Sequence, residues 1–378
     1  LEKLQQRVGP GFYVIVEKIL QRGESLKPWP MSGTTGYDAL NEIDGVMTDQ
    51  AAATRFDSFY REHVGVTETC ADALHGAKSF VAHRSFGAEI ERLADRLFAL
   101  VQSQRPVLDV SRKTVGRILE RAAIAMPVYR TYVAAKGADA ADEAMIRQVV
   151  AGLRNACDEE ERIAVNFLER ILLGRNETAH ALGLRQAFEQ LTGPVMAKGL
   201  EDTLFYRYAP LLALNEVGGD PSSFGYSQEA FHEAARARAM DWPASLIATA
   251  THDTKRGEDA RARLLAITGA PELYFDFAKA FLDLARGWDR NDAFILFQAL
   301  VGAWPFEDAL VEEEFSKRAR AYFLKAIREA KRHTSWTDPN ESYEQEALRL
   351  VELCLKPGAL REAISRVAQH YAWAGALN

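Results

Sequence analysis

Cysteine is scarce in this sequence, and positive charge does not predominate. The 378 residues include three cysteines that lie far apart and form no CxxC pair, namely Cys70, Cys157 and Cys354. Because no secretory signal is recognisable, this pattern favours reduced, buried thiols and predicts a cytoplasmic protein. The formal net charge of −7 offers no basic face. We therefore expect neither a nucleic-acid nor an anionic-membrane partner.

Long apolar runs and metal-binding motifs are also lacking. No run of apolar residues is long enough to cross a bilayer. His63, His75 and His83 are near one another in sequence, but their spacing fits no common zinc motif. We therefore predict no membrane association, no metal and no cofactor.

Helical periodicity, by contrast, is abundant. Side-chain oxygens that can begin a helix occur at Asp109 and Ser111 and in residues 289–292, each ahead of an apolar stripe. Apolar residues recur at helical spacing in residues 93–101, 115–122, 163–172, 319–326 and 360–371. The pattern predicts a mainly α-helical chain.

One β-branched and aromatic run near the start ends in a carboxylate. Residues 11–20 read GFYVIVEKIL and place Glu17 at the end of a predicted strand that is covered on both faces. We expect a carboxyl group at the rim of an apolar wall to be poorly solvated. Poor solvation raises the pKa of the group and suits it to act as a general acid. A plain strand end, with Glu17 paired to Lys18, is the alternative.

A second predicted strand, residues 245–250, leads into a loop dense in ionisable side chains. The loop contains His252, Asp253, Lys255 and Arg256. Catalytic groups commonly lie where a strand of a parallel barrel gives way to a loop. A charged turn with no chemical role would have the same pattern. The two cations next to Asp253 favour the ionised form of that carboxylate.

Six segments, in order along the chain, resemble those of the maltooligosyltrehalose synthases, a family of the α-amylase superfamily. They are residues 12–20, 33–38, 126–133, 191–208, 214–221 and 248–259. The resemblance covers essentially the whole chain, and the ordered series is more specific than any one segment. It implies a mainly α-helical fold with a few short parallel β-strands. This fold would be part of a (β/α)8 barrel glycosidase with large helical insertions.

The resemblance also implies how the chain is organised. Residues 1–40 and 191–265 would be parts of the barrel, residues 41–190 a helical insertion, and residues 266–378 a second helical subdomain. The family uses three catalytic carboxylates. Glu17 matches the acid/base and Asp253 the third carboxylate, but no segment here resembles that of the nucleophile. We therefore expect an internal part of a larger enzyme, without the N-terminal part of the barrel and the C-terminal β domain. Such a part should be inactive by itself.

Contacts with a sugar follow from the same resemblance. Lys255 would hold the reducing-end sugar, with Lys198 as a second residue at that rim. His252 would donate a hydrogen bond to a sugar hydroxyl, and Arg256 is a second long donor nearby. The aromatic rings on which a sugar could stack are Tyr37, Phe205 and Tyr206, each of which could instead pack in the core.

The activity implied is an intramolecular transglycosylation, which is an isomerisation. The reducing-end α-1,4 linkage of a maltooligosaccharide would become an α,α-1,1 linkage through a covalent, retaining mechanism. The product suggests a functional pairing with a trehalose-releasing hydrolase. Two alternatives stay open. One is a hydrolytic relative, either an amylase or a trehalohydrolase, and the other is a non-catalytic helical interaction module with the six segments scattered in space.

Overall fold

The chain is mainly helical, with two very short strands. The structure, a computed structural model, describes residues 1–9, 11–307, 311 and 313–378. Its α-helices are α1 (Glu2–Val8), α2 (Tyr37–Val46), α3 (Ala53–Phe59), α4 (Cys70–Ser85), α5 (Gly87–Gln102), α6 (Arg112–Ala125), α7 (Ala140–Asn155), α8 (Glu159–Leu172), α9 (Ala179–Met196), α10 (Gln228–Asp241), α11 (Glu258–Ala266), α12 (Glu272–Leu284), α13 (Arg290–Ala303), α14 (Glu313–Ala330), α15 (Glu341–Leu355), α16 (Ala359–His370) and α17 (Ala372–Leu377). The predicted mainly helical chain is confirmed.

Strands β1 (Ile15–Val16) and β2 (Gly33–Thr34) pair in parallel, with Ile15 opposite Gly33. Short parallel strands are therefore present as predicted. The expected strand over residues 11–20 is, however, reduced to two residues. Phe12 and Tyr13 are exposed, so the run is not covered on both faces.

The second predicted strand, residues 245–250, does not form. This segment makes one backbone hydrogen bond to β2, from the Leu246 amide to the Thr34 carbonyl oxygen at 3.2 Å. Leu246 and Ile247 are exposed instead of buried. A single bond to one neighbour does not make a ladder, and the apolar run is not enclosed. The sequence interpretation of a buried strand was wrong here.

Glycines let this segment approach β2 closely. A Cβ on Gly33 would lie 2.5 Å from the Ser245 Cα, and one on Gly36 would lie 3.0 Å from the Leu246 carbonyl oxygen. Gly36 also has a φ of +96°, which favours glycine, and begins α2. The close approach brings the loop after residue 248 towards the end of β1.

The chain divides into two compact units. One consists of Leu1–Cys70 and Thr203–Asn378, and the other of Ala71–Asp202. The predicted boundaries after residues 40, 190 and 265, which separate parts of a barrel from helical subdomains, stay predictions.

Within Ala71–Asp202, helices α5 to α9 pack around one apolar core. Ile118, Val165 and Leu184 are fully buried in it. Ser111 begins α6, as predicted, because its hydroxyl accepts the Thr114 amide at 3.1 Å. The helical stripes read from the sequence thus face a common interior.

The other unit has its own core. Helix α11 packs on α13 and α17, and α12 packs on α16. Aromatic rings fill much of the interior, among them Phe56, Tyr274 and Phe297. Asp289 begins α13 as predicted, accepting the Asp292 amide at 2.9 Å. This unit contains both strands and the loop of His252.

Candidate functional site

Glu17, Tyr37 and His252 come together at one point of the first unit. Glu17 directly follows β1, and Tyr37 is the first residue of α2. The His252 Nε2 atom lies 3.5 Å from Glu17 Oε1, and the Tyr37 hydroxyl donates to the same oxygen at 3.4 Å. Two residues far apart in sequence, Glu17 and His252, are thus direct neighbours.

The site is open to solvent. The side chain of Glu17 is 51% exposed and that of His252 is 75% exposed. Glu17 was expected to be poorly solvated at the rim of an apolar wall, but this expectation was wrong, because the covered strand on which it depended is not formed. In this structure Glu17 is a half-exposed carboxylate beside a phenol and an imidazole.

Tyr37 differs from its neighbours in being buried. Its ring is 1% exposed, and only its hydroxyl reaches the site. Burial raises the pKa of Tyr37, and the nearby carboxylates of Glu17 and Asp253 raise it further, against a hydrogen bond with Thr251 that lowers it. The phenol is therefore protonated near neutrality and acts as a donor to Glu17.

Asp253 and Lys255 form the other part of the loop. Lys255 Nζ lies 3.9 Å from Asp253 Oδ1. The Asp253 side chain is 56% exposed, whereas that of Lys255 is 7% exposed. The exposed carboxylate can accept hydrogen bonds from a ligand.

The structure places Arg256 inside the protein. Its Nη1 atom donates to the Asn215 carbonyl oxygen at 2.9 Å, and its Nη2 atom donates to the Tyr322 hydroxyl at 3.1 Å. Arg256 is buried. In this structure the guanidinium group ties the loop to its support and does not face solvent; a contact with sugar stays a prediction.

The remaining predicted contact residues lie elsewhere. Phe205 and Tyr206 are buried and belong to a short 3₁₀-helix, Leu204–Tyr206. Their surroundings agree with the core-packing alternative, and their stacking role stays a prediction. Lys198 belongs to the second unit, in the π-helix Ala197–Glu201, and its Nζ atom pairs with Asp202 Oδ2 at 2.5 Å.

Sequence reasoning assigned no role to the buried groups behind the loop. Glu216 accepts the backbone amides of Lys255 and Arg256, and Arg261 pairs with both Glu216 and Asp44. Burial raises the pKa of Asp44 to about 6, against the lowering effect of Arg261. The available signal was the segment 214–221, in which Glu216 comes shortly before paired glycines and an Asp-Pro turn.

Among the described residues, one group has the side chains to hold a metal: Asp289, Asp292 and His333. It does not include His63, His75 or His83. Arg332 already lies against it, with its Nη2 atom 3.1 Å from Asp289 Oδ2 and its Nη1 atom 3.8 Å from Asp292 Oδ1. The group is best described as an ion-pair network at the start of α13.

Comparisons with known proteins identify relatives of the whole described fold. No protein-family model matches the chain. A Mycobacterium tuberculosis (strain H37Rv) protein named as a maltooligosyl trehalose synthase is 32% identical over 372 residues, which are 98% of this chain and 46% of that protein. The chain therefore spans about half the length of this curated relative.

Solved structures give the same result. The maltooligosyltrehalose synthase of Arthrobacter ramosus matches with a TM-score of 0.82 and 34% identity, over 99% of this chain and 46% of that one. A hypothetical maltooligosyl trehalose synthase of Sulfolobus tokodaii matches with a TM-score of 0.78 and 27% identity, over 99% and 46%. The chain is thus similar to enzymes of the glycosidase type. In particular, it is related along nearly its whole length to maltooligosyltrehalose synthases, as the six segments predicted.

No described helix combines the length and the apolar character that a bilayer-spanning segment requires.

Proposed function

We propose that this chain is part of a maltooligosyltrehalose synthase and contributes the acid/base carboxylate of its active site. The enzyme would convert the reducing-end α-1,4 linkage of a maltooligosaccharide to an α,α-1,1 linkage. The observation that carries the proposal is the contact of Glu17 with His252 and Tyr37, within a chain related to these synthases. An interaction module gives no reason for this contact.

Glu17 would act twice. It first protonates the oxygen of the bond that breaks, and it then removes the proton of the hydroxyl group that attacks the covalent intermediate. The contacts with Tyr37 and His252 both fall on Oε1. The other carboxylate oxygen, Oε2, would then carry the transferred proton.

The loop would bind the sugar. Asp253 accepts hydrogen bonds from hydroxyl groups, and its negative charge favours the oxocarbenium-like transition state. His252 donates to a hydroxyl group. Lys255 and Lys198 remain our assignments for the reducing-end sugar. The cleaved glucose must stay bound until its C1 hydroxyl attacks, which requires that water be kept out.

Some expectations about the whole protein stay predictions. They are a maltooligosaccharide substrate, a barrel completed by other segments, functional pairing with a trehalose-releasing hydrolase, a cytoplasmic location, and the lack of a nucleic-acid, membrane, metal or cofactor partner.

The decisive experiment uses the complete open reading frame that encodes this chain. The protein is incubated with maltopentaose, and the products are identified by NMR. We expect a non-reducing product with an α,α-1,1 linkage. Dominant glucose and shorter maltodextrins would instead support the hydrolytic alternative.

A Glu17→Gln variant of the same protein tests the acid/base assignment. We expect kcat to fall by about 10²- to 10⁴-fold, because the amide can neither donate nor accept the transferred proton. Glu233→Gln, at an exposed position of α10, removes a carboxylate outside loop 249–256 and should leave kcat unchanged. Equal kcat in the Glu17→Gln variant and the wild type would refute the role.

We also expect the 378-residue chain to give no transglycosylation product by itself, since none of its segments resembles that of the nucleophile. The same NMR assay, at high protein concentration and long incubation, measures this. Product formed by this chain alone would mean that a carboxylate within it replaces the nucleophile.

A further inference from the structure

The loop that carries His252 and Asp253 has few stabilising contacts of its own. Within it, the Thr254 hydroxyl donates to the Thr251 carbonyl oxygen at 3.0 Å, and the Asp253 amide donates to the Thr251 hydroxyl at 3.3 Å. The side chains of His252 and Asp253 are exposed. The position of the loop must therefore be set mainly by what lies behind it.

Glu216 holds one end of the loop. It is fully buried. Its Oε1 atom accepts the Lys255 amide at 2.7 Å and the amide of the next residue, Val217, at 2.9 Å. Its Oε2 atom accepts the Arg256 amide at 3.2 Å. Both carboxylate oxygens are thus used by backbone N–H groups.

The backbone at Glu216 is itself fixed by its neighbour Asn215. The Asn215 Nδ2 atom donates to the carbonyl oxygens of Phe205 at 2.9 Å and of Tyr208 at 2.7 Å. A side chain anchored in this way can hold the loop in one position.

Arg261, in α11, contacts both ends of the loop. Its Nη1 atom donates to the Arg256 carbonyl oxygen at 2.7 Å, and its Nη2 atom donates to the Thr249 carbonyl oxygen. Its Nη1 atom is also 3.5 Å from Glu216 Oε2, and its Nε atom donates to Asp44 at 2.7 Å. Arg261 is buried.

We propose that Glu216 and Arg261 are positioning residues, which together hold loop 249–256 so that His252 and Asp253 face Glu17. The catalytic part of this inference rests on the proposed function, whereas its structural part concerns the loop alone. Residues 214–221, which the resemblance singled out without a role, thereby gain one: they hold the loop without touching the substrate.

The chemistry of a carboxylate suits this position better than that of an amide. A glutamine at residue 216 keeps the shape but offers one acceptor oxygen, while its NH₂ group would face a backbone N–H donor. Glu216→Gln therefore removes one loop contact with little change of volume. Arg261→Lys keeps the charge, but a single ammonium group cannot reach both Thr249 and Arg256 in the way that a planar guanidinium does.

Glu344 supplies a matched control. It is buried like Glu216, and its two carboxylate oxygens pair with Arg328 at 2.8 and 2.6 Å, but they do not contact the loop. Glu344→Gln thus disturbs a buried carboxylate–arginine pair of similar kind.

Two measurements test the inference. The first is amide hydrogen exchange of Lys255 and Arg256 in the 378-residue chain. We expect exchange to become about ten-fold faster or more in Glu216→Gln and Arg261→Lys, because local opening becomes easier, and to stay unchanged in Glu344→Gln. Unchanged exchange in the first two variants would overturn the inference.

The second measurement is the kinetics of the complete protein. We expect Glu216→Gln to lower kcat by about 10- to 100-fold, as a small misplacement of a catalytic group can do, while KM stays within about two-fold of the wild type. We expect Glu344→Gln to have a thermal midpoint close to that of Glu216→Gln, but a kcat that is closer to that of the wild type. Faster exchange with wild-type kcat would overturn the positioning role. If the wild-type protein makes no α,α-1,1 product, the proposed function has failed, and hydrogen exchange alone decides whether the pair holds the loop.

Discussion

Lys78 is a buried cation that the proposed mechanism does not use. Its Nζ atom donates to the Met126 carbonyl oxygen at 2.6 Å, and burial lowers the pKa of Lys78 to about 8. A folded-state pKa below the unfolded one means that the unfolded chain binds the proton more tightly. The stability that this group contributes is therefore present above pH 10.5, and it is lost as the pH falls towards 8.

Replacing Lys78 by methionine should remove this pH dependence. Relative to Lys78→Met, we expect the wild type to gain stability between pH 7 and pH 10, by up to about 3 kcal/mol for the full shift. Urea unfolding of both proteins across this range measures the difference. The loss of the hydrogen bond to Met126 changes the difference in unfolding free energy between the two proteins by the same amount at every pH. It therefore does not change the slope of that difference against pH. Lys279→Met, at an exposed position of α12, is the control, and a Lys78→Met slope equal to that of this control would contradict the prediction.

At the scale of single residues, the sequence indicated which side chains belong to the candidate site better than it indicated how exposed they are. The resemblance assigned Glu17 and Asp253 to one active site; the structure brings His252, the residue before Asp253, next to Glu17, and the catalytic assignment stays a prediction. The sequence could not show that Tyr37 and Arg256 are buried, because an aromatic ring or a long cation occurs both on surfaces and, when its polar atoms are bonded, in interiors. Glu216 was given no role because its loop partners are the backbone amides of Lys255 and Arg256, which no residue type in the sequence indicates.

At the scale of structural elements, the tight turn after Glu216 is closely packed, and its backbone positions Glu216 behind the site. A Cβ on Gly219 would lie 2.8 Å from the carbonyl oxygens of both Leu214 and Glu216. Gly219 also donates its amide to the Glu216 carbonyl oxygen at 2.7 Å. The turn therefore has no room for a side chain unless its backbone moves.

We expect Gly219→Ala to destabilise the chain by about 1–3 kcal/mol, the usual effect of overpacking. It should also speed the exchange of the Lys255 amide, because a displaced turn moves Glu216. Gly287→Ala is the control, since a Cβ on Gly287 meets no atom within 4 Å. Chemical unfolding and hydrogen exchange measure the two effects. Equal stability of the two variants would mean that the turn relaxes freely.

Helices were easier to predict than strands for a physical reason. The signals that begin α6 and α13 are local, because Ser111 and Asp289 bond amides three residues on. The length of a strand depends on neighbours that are distant in sequence. Residues 245–250 have strand composition, but among the described residues their backbone is bonded to β2 through Leu246 alone, so they do not form a strand.

Across the whole molecule, apolar side chains around the strand pair remain exposed. Phe12, Tyr13, Leu246 and Ile247 are all exposed, and the Tyr13 hydroxyl donates to the Ala244 carbonyl oxygen at 2.8 Å, which brings the two segments together. Within the described residues, β1 pairs with β2 alone. Exposed strand edges with apolar side chains favour association with other chains.

Net charge opposes that association. The charge of −7 makes copies of the chain repel one another at low salt, and this repulsion is screened as ionic strength rises, with a Debye length of about 10 Å at 0.1 M and about 3 Å at 1 M. We therefore expect the 378-residue chain to self-associate more strongly as salt increases, as measured by sedimentation velocity.

Ile247→Lys separates the apolar contribution to self-association from the contribution of charge. Ile247 is 68% exposed, and Leu284 on α12 is 50% exposed; changing either to lysine alters the net charge equally, from −7 to −6. If the exposed apolar residues around the strand pair drive self-association, Ile247→Lys should weaken it at high salt, even though the added lysine lowers the net repulsion. Leu284→Lys should not weaken it. Association that rises with salt equally in both variants would show that apolar contact at this edge is not its cause.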